Sequence, residues 1–312
     1  MDVPSVMTHT FSPPFKGDDD GNIYFLQGSL DRTIQKLSPK GEPMAMFRAS
    51  SYTDKKLNYA GPFDVALNGD LYELVFPHEF NRYVFTYKSD GSFKAAIKLN
   101  TGFWWFPSHL AVFPSGQMLI TGSEYDKDVN AAKWPFTGIF AADGTLLKEV
   151  KLEDDETLHE MAAVGDNRVI SDVIPRGNNA VAFTQLETAP DGNVYLMRWT
   201  NPAIIYAISP GGEVVRRMKI DPGNAKYYPR TLHAFQNRIA ILFVEHDTFE
   251  KIMKIVDLEG HEIATYDELR TKDKNQSMLS SAFYCYNENP TRFVFLGTED
   301  DGRLQFVTVE PR

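Results

Sequence analysis

The sequence predicts an all-β fold, a six-bladed β-propeller of four-stranded antiparallel blades, on the strength of three observations. Aromatic residues make up 13% of the 312-residue chain, and they favour strands. Tight turns that contain glycine or asparagine recur in pairs along the chain. These pairs repeat at intervals of about 45 residues, a period typical of propeller blades.

Two series of turns define the repeating unit. The first turn of each unit lies at Asp20-Gly21, Asn68-Gly69, Ser115-Gly116, Asp191-Gly192 and Gln236-Asn237. The second turn lies at Lys40-Gly41, Asp90-Gly91, Asp143-Gly144, Gly211-Gly212 and Glu259-Gly260. A strand-length apolar run follows each first turn, so each unit reads as four strands, A to D. A tight turn joins A to B, a longer loop joins B to C, and a second tight turn joins C to D.

The two ends of the chain complement each other. The last unit, "SSAFYCYNENPTRFVFLGTEDDGRLQFVTVEPR", ends after its third strand, and the N-terminal stretch "VPSVMTHTF" belongs to no unit. We therefore expect residues 2–11 to supply the missing outer strand and to close the ring, which removes exposed sheet edges. On this interpretation residues 1–312 form a single domain.

One interval is longer than the others and predicts an insertion at residues 153–183, between blades three and four. Val164, Val169 and Ile170 lie among several apolar residues there, which favours an extra hairpin over the mouth of the ring. The acidic run "EDDE" at 153–156 reads as a solvated loop.

Charge and composition limit the partners. The net charge of -10 argues against a nucleic acid, because phosphates would repel the protein. No apolar run is long enough to insert into a membrane. The first residues lack the basic and apolar regions of a signal peptide. The compartment stays open: the protein is periplasmic or secreted if a signal peptide has been removed, and cytoplasmic otherwise. We expect a monomer.

The predicted topology separates two faces of the ring. All tight turns lie on one face, and the B–C loops and D–A connections lie on the other. Binding residues concentrate in variable loops that a rigid scaffold positions. We therefore expect a small molecule or a protein to bind on the loop-rich face, at the mouth of the central channel.

Polar residues occupy matching positions near the starts of several A strands. His109, Gln185 and Arg230 stand at one level, and Asp64 and Glu187, together with Lys16, stand two residues further along. Because side chains alternate along a strand, both levels face the same side and would converge near the channel. The alternative is that these groups bond only to each other or to water.

Aromatic residues near the same face form a second candidate group. Trp104 and Trp105 lie in "GFWWFP", just before the third A strand, and Trp199 lies in a B–C loop. Such rings would offer a stacking platform for a ligand or a partner. The alternative for Trp104 and Trp105 is packing between blades.

The runs "APDGNVYLMRWTNPAIIYAISPGGEVVRRMKI" and "SHLAVFPSGQMLITG" resemble the NHL-type and gluconolactonase-like six-bladed propellers. That resemblance implies a scaffold, a ligand binder, a lactone hydrolase or a lyase. Gluconolactonase-like members bind a divalent metal through carboxylate and asparagine ligands and open with a Glu-Gly-Pro signature, whereas "AGPFDVAL" places Ala60 at the glutamate position.

Two functions follow from these observations. The first is a non-catalytic binder of a ligand or protein at the loop-rich face. The second is a metal-dependent, lactonase-like hydrolase or a lyase that uses His109 at the channel mouth. His109, His159 and His233 have no fixed spacing, which is a weak zinc signal, so the cofactor stays open.

Overall fold

The structure is a computed structural model, and it describes most of the chain. The described residues are 11–18, 20–27, 33–53, 57–77, 81–126, 131–153, 183–235, 237–245, 247–248, 250–267, 277–288, 291–298 and 304–309. Within them the strands pair antiparallel, and a short 3₁₀ helix lies at Ala49–Tyr52. None of the helices in this part of the chain is long and apolar enough to cross a membrane.

The first three blades are four-stranded meanders, each built from strands that follow one another in sequence. Blade one contains β1 (Phe11–Gly17), β2 (Ile23–Gln27), β3 (Thr33–Leu37) and β4 (Pro43–Phe47). Blade two contains β5 (Leu57–Val65), β6 (Leu71–Pro77), β7 (Tyr83–Tyr87) and β8 (Phe93–Lys98). Blade three contains β9 (Trp105–Val112), β10 (Met118–Asp126), β11 (Ala131–Phe140) and β12 (Leu146–Glu149).

The remaining strands form two further blades and a last, smaller sheet. Blade four contains β13 (Phe183–Thr188), β14 (Val194–Arg198), β15 (Ala203–Ile208) and β16 (Val214–Ile220). Blade five contains β17 (Tyr227–Phe235), β18 (Arg238–Glu245), β19 (Lys251–Asp257) and β20 (Glu262–Tyr266). The last sheet contains β21 (Ser277–Glu288), β22 (Thr291–Thr298) and β23 (Leu304–Val309).

The predicted tight turns join these strands, and one of them shows why glycine is required. Gly144 has a φ of +85°, and its N–H donates to the carbonyl of Ala141 at 2.9 Å. A Cβ at this position would lie 2.1 Å from the carbonyl oxygen of Lys98 in blade two. Only glycine fits both the left-handed backbone and this close approach between blades.

The protein is a β-propeller, but the predicted count of six four-stranded blades is wrong. The described residues form five such blades and one last sheet of three strands. The innermost strands β1, β5, β9, β13, β17 and β21 contact one another in sequence, and β21 also contacts β1. Ring closure by residues 2–11 stays a prediction, because residues 1–10 lie outside the described part and Phe11 begins β1.

The hydrophobic core lies between successive sheets. The cluster between blades four and five, for example, joins Met197 and Ile205 to Leu232 and Ile241. Equivalent clusters fill the interfaces on either side, whereas the outermost strands, such as β16, alternate between exposed and buried residues. Side chains at the ends of the inner strands can therefore reach from one blade to the next.

Glu153, at the start of the predicted insertion, is buried and not solvated as the sequence predicts. Residues 154–182 lie outside the described part, but Glu153 is described, and its side chain is only 3% exposed. Its Oε2 lies 2.7 Å from Nη2 of Arg198 in blade four, so Glu153 forms a buried ion pair instead of belonging to a solvated loop. An acidic run reads as solvated in sequence because the distant basic partner cannot be seen.

Candidate functional site at the mouth of the ring

All innermost strands carry a break in register near their starts, on the loop-rich face. The breaks fall between Ser12 and Phe15, Ala60 and Phe63, Pro107 and His109, Phe183 and Gln185, Pro229 and Thr231, and Met278 and Phe283. Such bulges bend a strand and redirect its side chains, and they are common beside functional sites. The predicted residues His109, Gln185 and Arg230 all lie at these bulges or next to them.

Lys16 links three blades at the deeper level. Its Nζ lies 2.9 Å from Oδ1 of Asp64 in blade two and donates to the carbonyl oxygen of Leu186 in blade four, also at 2.9 Å. Since Lys16 belongs to blade one, its side chain reaches across the ring. Oδ2 of Asp64 accepts a hydrogen bond from the Val112 N–H at 2.8 Å. Burial raises the pKa of Asp64, while the Lys16 ammonium opposes that change.

Gln185 and Glu187 join blade four to blade five. Oε1 of Gln185 accepts from the Leu232 N–H at 3.0 Å, and Oε1 of Glu187 accepts from the Ala234 N–H, also at 3.0 Å. Nδ1 of His233 lies 2.9 Å from the same Glu187 oxygen. These side chains satisfy N–H groups on the open edge of an inner strand. Their carbonyl and carboxylate oxygens are therefore engaged in holding the ring together.

His109 offers a neutral imidazole near the mouth. Its ring is partly exposed, and Nδ1 lies 3.0 Å from Oγ of Ser108. Neighbouring protein groups keep most water away from the imidazole, and this desolvation is the main reason that the pKa of His109 is lowered to about 4. The nearby positive charge of Lys16 acts in the same direction. The imidazole is thus uncharged at neutral pH and suits hydrogen bonding to a polar ligand group.

Arg230 and Trp199 form a contact that the sequence did not reveal. The guanidinium carbon of Arg230, at the bulge of β17, lies 4.7 Å from the centroid of the Trp199 ring, just after β14. Nε of Arg230 and Nε1 of Trp199 are buried, and neither has a hydrogen-bond partner among the described residues. Burial lowers the pKa of Arg230, yet a guanidinium stays charged at any physiological pH. Between blades four and five, the Arg230 guanidinium and the Trp199 indole thus each carry one buried N–H donor without a described acceptor.

Trp105 does not face a ligand. Its side chain is 3% exposed, and its ring stacks on Phe140 at 5.6 Å within the core between blades two and three. Alternation along β9 directs it inward, so the binding role expected from the sequence is not carried forward for Trp105. Trp104, which precedes β9, is partly exposed.

Buried Arg82 and exposed Phe106, which contact each other, were not singled out from the sequence. Nε of Arg82 donates to the carbonyl oxygen of Trp105 at 3.1 Å, and its guanidinium carbon lies 4.6 Å from the ring centroid of Phe106. Phe106 is 44% exposed at the groove between blades two and three. Strand alternation through "WWFP" was the available signal, because it places Trp105 and Phe106 on opposite sides.

The metal hypothesis finds no ligand cluster in the described part of the chain. Within those residues no group of three or more His, Cys, Asp or Glu side chains is placed to hold a metal ion. His233 lies beside Glu187, His109 lies beside Ser108, and His159 lies outside the described residues.

Only solved structures resemble this chain in the comparisons with known proteins. No family model matches the chain, and no curated protein matches it. A solved structure of a protein of unknown function from Bacteroides caccae is 12% identical, with a TM-score of 0.49 over 81% of this chain and 80% of that one. The Dos1 propeller is 10% identical, with a TM-score of 0.49 over 97% and 70% of the two chains.

A third solved structure belongs to a protein provisionally assigned as a gluconolactonase. It is 14% identical, with a TM-score of 0.45 over 100% of this chain and 92% of that one. At these identities no residue role is carried over to this chain.

Proposed function

We propose that this protein is a ligand-binding β-propeller that holds a small molecule at its loop-rich face, in the groove between blades four and five. The observation that carries this proposal is the Arg230–Trp199 pair with its two unpartnered, buried N–H groups. A buried donor without an acceptor costs about 1–3 kcal/mol. A ligand that supplies an acceptor removes this cost, so the pair is organised in advance for binding.

The surroundings of the pair support a site with rigid walls. Lys16 links blades one, two and four, and Gln185 and Glu187 accept hydrogen bonds from the inner strand that carries Arg230. A side chain on a braced strand keeps its geometry better than one on a loop. We propose that His109, Gln185 and Arg230 line one cavity above Lys16, with Trp199 as its outer wall.

The hydrolase or lyase alternative lacks a comparable observation. Ser108 and His109 lie within hydrogen-bond distance, as a nucleophile and a base would. A base with a pKa of about 4 is poorly matched to neutral pH, however, and no carboxylate among the described residues orients this imidazole. Binding is therefore the function that the geometry favours.

The proposal is tested by a small-molecule screen on the full chain, read out by NMR of the indole N–H groups. Hits that move the Trp199 resonance should lose affinity in Trp199→Leu, because the aromatic wall is lost. The matched control is Phe106→Leu, which removes an exposed ring from the groove between blades two and three. Hits that bind Trp199→Leu as tightly as the wild type would contradict the proposal.

A further inference from the structure

We propose that the Arg230–Trp199 pair binds the carboxylate group of its ligand, so that the protein recognises small monocarboxylates. This inference rests on the proposed function and names the ligand class of the same site. The carboxylate would lie against the Nε edge of the Arg230 guanidinium and within reach of the Trp199 indole N–H.

The hydrogen-bonding character of the site points to an acceptor. Guanidinium and indole nitrogens can only donate hydrogen bonds, so the unpartnered atoms of Arg230 and Trp199 both require an acceptor. A neutral carbonyl oxygen could accept from both donors, but it would leave the buried cation without a counter-charge. The planar fork of a guanidinium matches the two oxygens of a carboxylate.

The charge balance at the mouth favours a single negative charge. The Lys16 ammonium is paired with Asp64, and His109 is neutral at pH 7 because its pKa is lowered to about 4. Among the described inner-strand residues at the mouth, Arg230 is therefore the cation without an acidic partner. A dianionic phosphate would bring two negative charges to one positive charge. The excess charge would be repelled by a chain whose net charge is already -10. A carboxylate balances the single positive charge.

In the neighbouring groove, a carboxylate of the chain itself pairs with a buried arginine. Between blades three and four, Glu153 accepts from Nε of Arg198 at 3.1 Å and from Nη2 at 2.7 Å. Arg198 also lies beside an aromatic ring, with its guanidinium carbon 5.5 Å from the centroid of Tyr206. Arg230 has the aromatic neighbour but not the acid. A ligand carboxylate would occupy the position that Glu153 occupies for Arg198.

The test is an NMR titration of the full chain with benzoate, using inorganic phosphate and the neutral isostere benzamide as competing probes. The Trp199 indole N–H is assigned by its disappearance in Trp199→Phe. We expect benzoate to move this resonance and that of the Arg230 Nε–H in a saturable way, and phosphate and benzamide to leave both unchanged.

Two arginine variants separate the site from a general charge effect. Arg230→Gln should weaken benzoate binding by at least roughly tenfold, because hydrogen bonds to a charged group are lost. The control Arg216→Gln makes the same charge change on β16, where Nε of Arg216 donates to Glu259 at 3.0 Å, and it should bind as the wild type does. A retained indole N–H spectrum shows that each variant is folded.

Several outcomes would overturn the inference. They are a Trp199 resonance that benzoate does not move, equal binding by Arg230→Gln, and equal or tighter binding of phosphate or benzamide. Neutral hits that move Trp199 while benzoate does not would reject the carboxylate and keep the proposed binding site. If no probe or library compound of any class moved Trp199, both proposals would fail.

Discussion

The groove between blades three and four and the groove between blades four and five each hold a buried arginine beside an aromatic ring. In the first groove Glu153 neutralises Arg198 through two hydrogen bonds, whereas in the second no described group accepts from Nε of Arg230. A buried cation without a partner costs stability. This difference is what the proposed ligand-binding role predicts, because a ligand acceptor would supply the pairing that Glu153 supplies in the first groove.

Blade four is the wall that the two grooves share. Arg198 ends β14 and points toward blade three, and the next residue, Trp199, contacts Arg230 of blade five. The chain bends at Trp199, directly after the strand, and the two consecutive side chains reach toward opposite neighbouring blades. Two consecutive residues thus belong to the groove that an internal acid completes and to the groove that we propose binds a ligand.

The largest expected effect comes from breaking the closed groove. Arg198→Met should lower the free energy of unfolding by about 3–5 kcal/mol, because it leaves the buried carboxylate of Glu153 without a partner. Urea denaturation measures this change. The double variant Glu153→Gln, Arg198→Met should recover much of the loss. A small loss in the single variant, or no recovery in the double one, would show that the pair is not the structural anchor of this groove.

A buried acidic side chain without a full set of partners can be compared with the buried arginines. Glu73 is fully buried, and its Oε2 accepts from the Tyr87 hydroxyl at 3.0 Å, while Oε1 has no partner among the described residues. Burial raises the pKa of Glu73 from 4.5 to about 8, and the hydrogen bond from Tyr87 opposes this only in part. The carboxyl is therefore mostly protonated in the folded protein at neutral pH.

The sign of the pH effect follows from that raised pKa. Glu73 does not weaken the fold below pH 4.5, and the fold becomes progressively less stable as pH rises through 8, by about 5 kcal/mol at most. Glu73→Gln should remove this loss, so its advantage over the wild type should grow between pH 5 and pH 8. Unfolding curves at the two pH values measure it. A constant difference between the two proteins would mean that Glu73 does not titrate in this range.

The repeat and the strands were predictable from sequence, because tight turns are a local property of a few residues. Period-two alternation predicted that Lys16, Asp64, Gln185 and Glu187 face one side of their strands. Their partners were not predictable. A bulge in each inner strand shifts the register locally, and the reach of one blade to the next depends on that shift.

Contacts between residues far apart in sequence explain the other misses. Glu153 looks solvated within "EDDE" until Arg198 is placed beside it, and Trp199 looks like a platform until Arg230 is found over its ring. Trp105 and Phe106 were separable by alternation alone, because only one of two consecutive strand residues faces the core. The predicted sixth four-stranded blade required a pairing that sequence spacing alone cannot establish.

A third groove gives an intermediate case. Between blades two and three, Nε of Arg82 donates to the Trp105 carbonyl oxygen, and its guanidinium lies between the rings of Phe76 and Phe106. Arg82→Met keeps the packing volume but loses the hydrogen bond, which should cost about 2 kcal/mol in the free energy of unfolding. Phe106→Leu, which leaves that hydrogen bond in place, should cost less. The reverse order would show that the exposed ring, and not the hydrogen bond, stabilises this groove.

The smallest effect on stability is expected at Arg230, and it separates the open groove most sharply from the other two. Arg230→Met removes a desolvated cation whose Nε has no described acceptor, and it places an apolar side chain on Trp199. Without ligand, the free energy of unfolding should stay constant or rise by about 1 kcal/mol, as is common when a functional residue is removed. Urea denaturation of Arg230→Met beside Arg82→Met, in the same buffer, measures the contrast. A loss as large as that of Arg82→Met would mean that Arg230 stabilises the fold, and the groove between blades four and five would then be as closed as its neighbours.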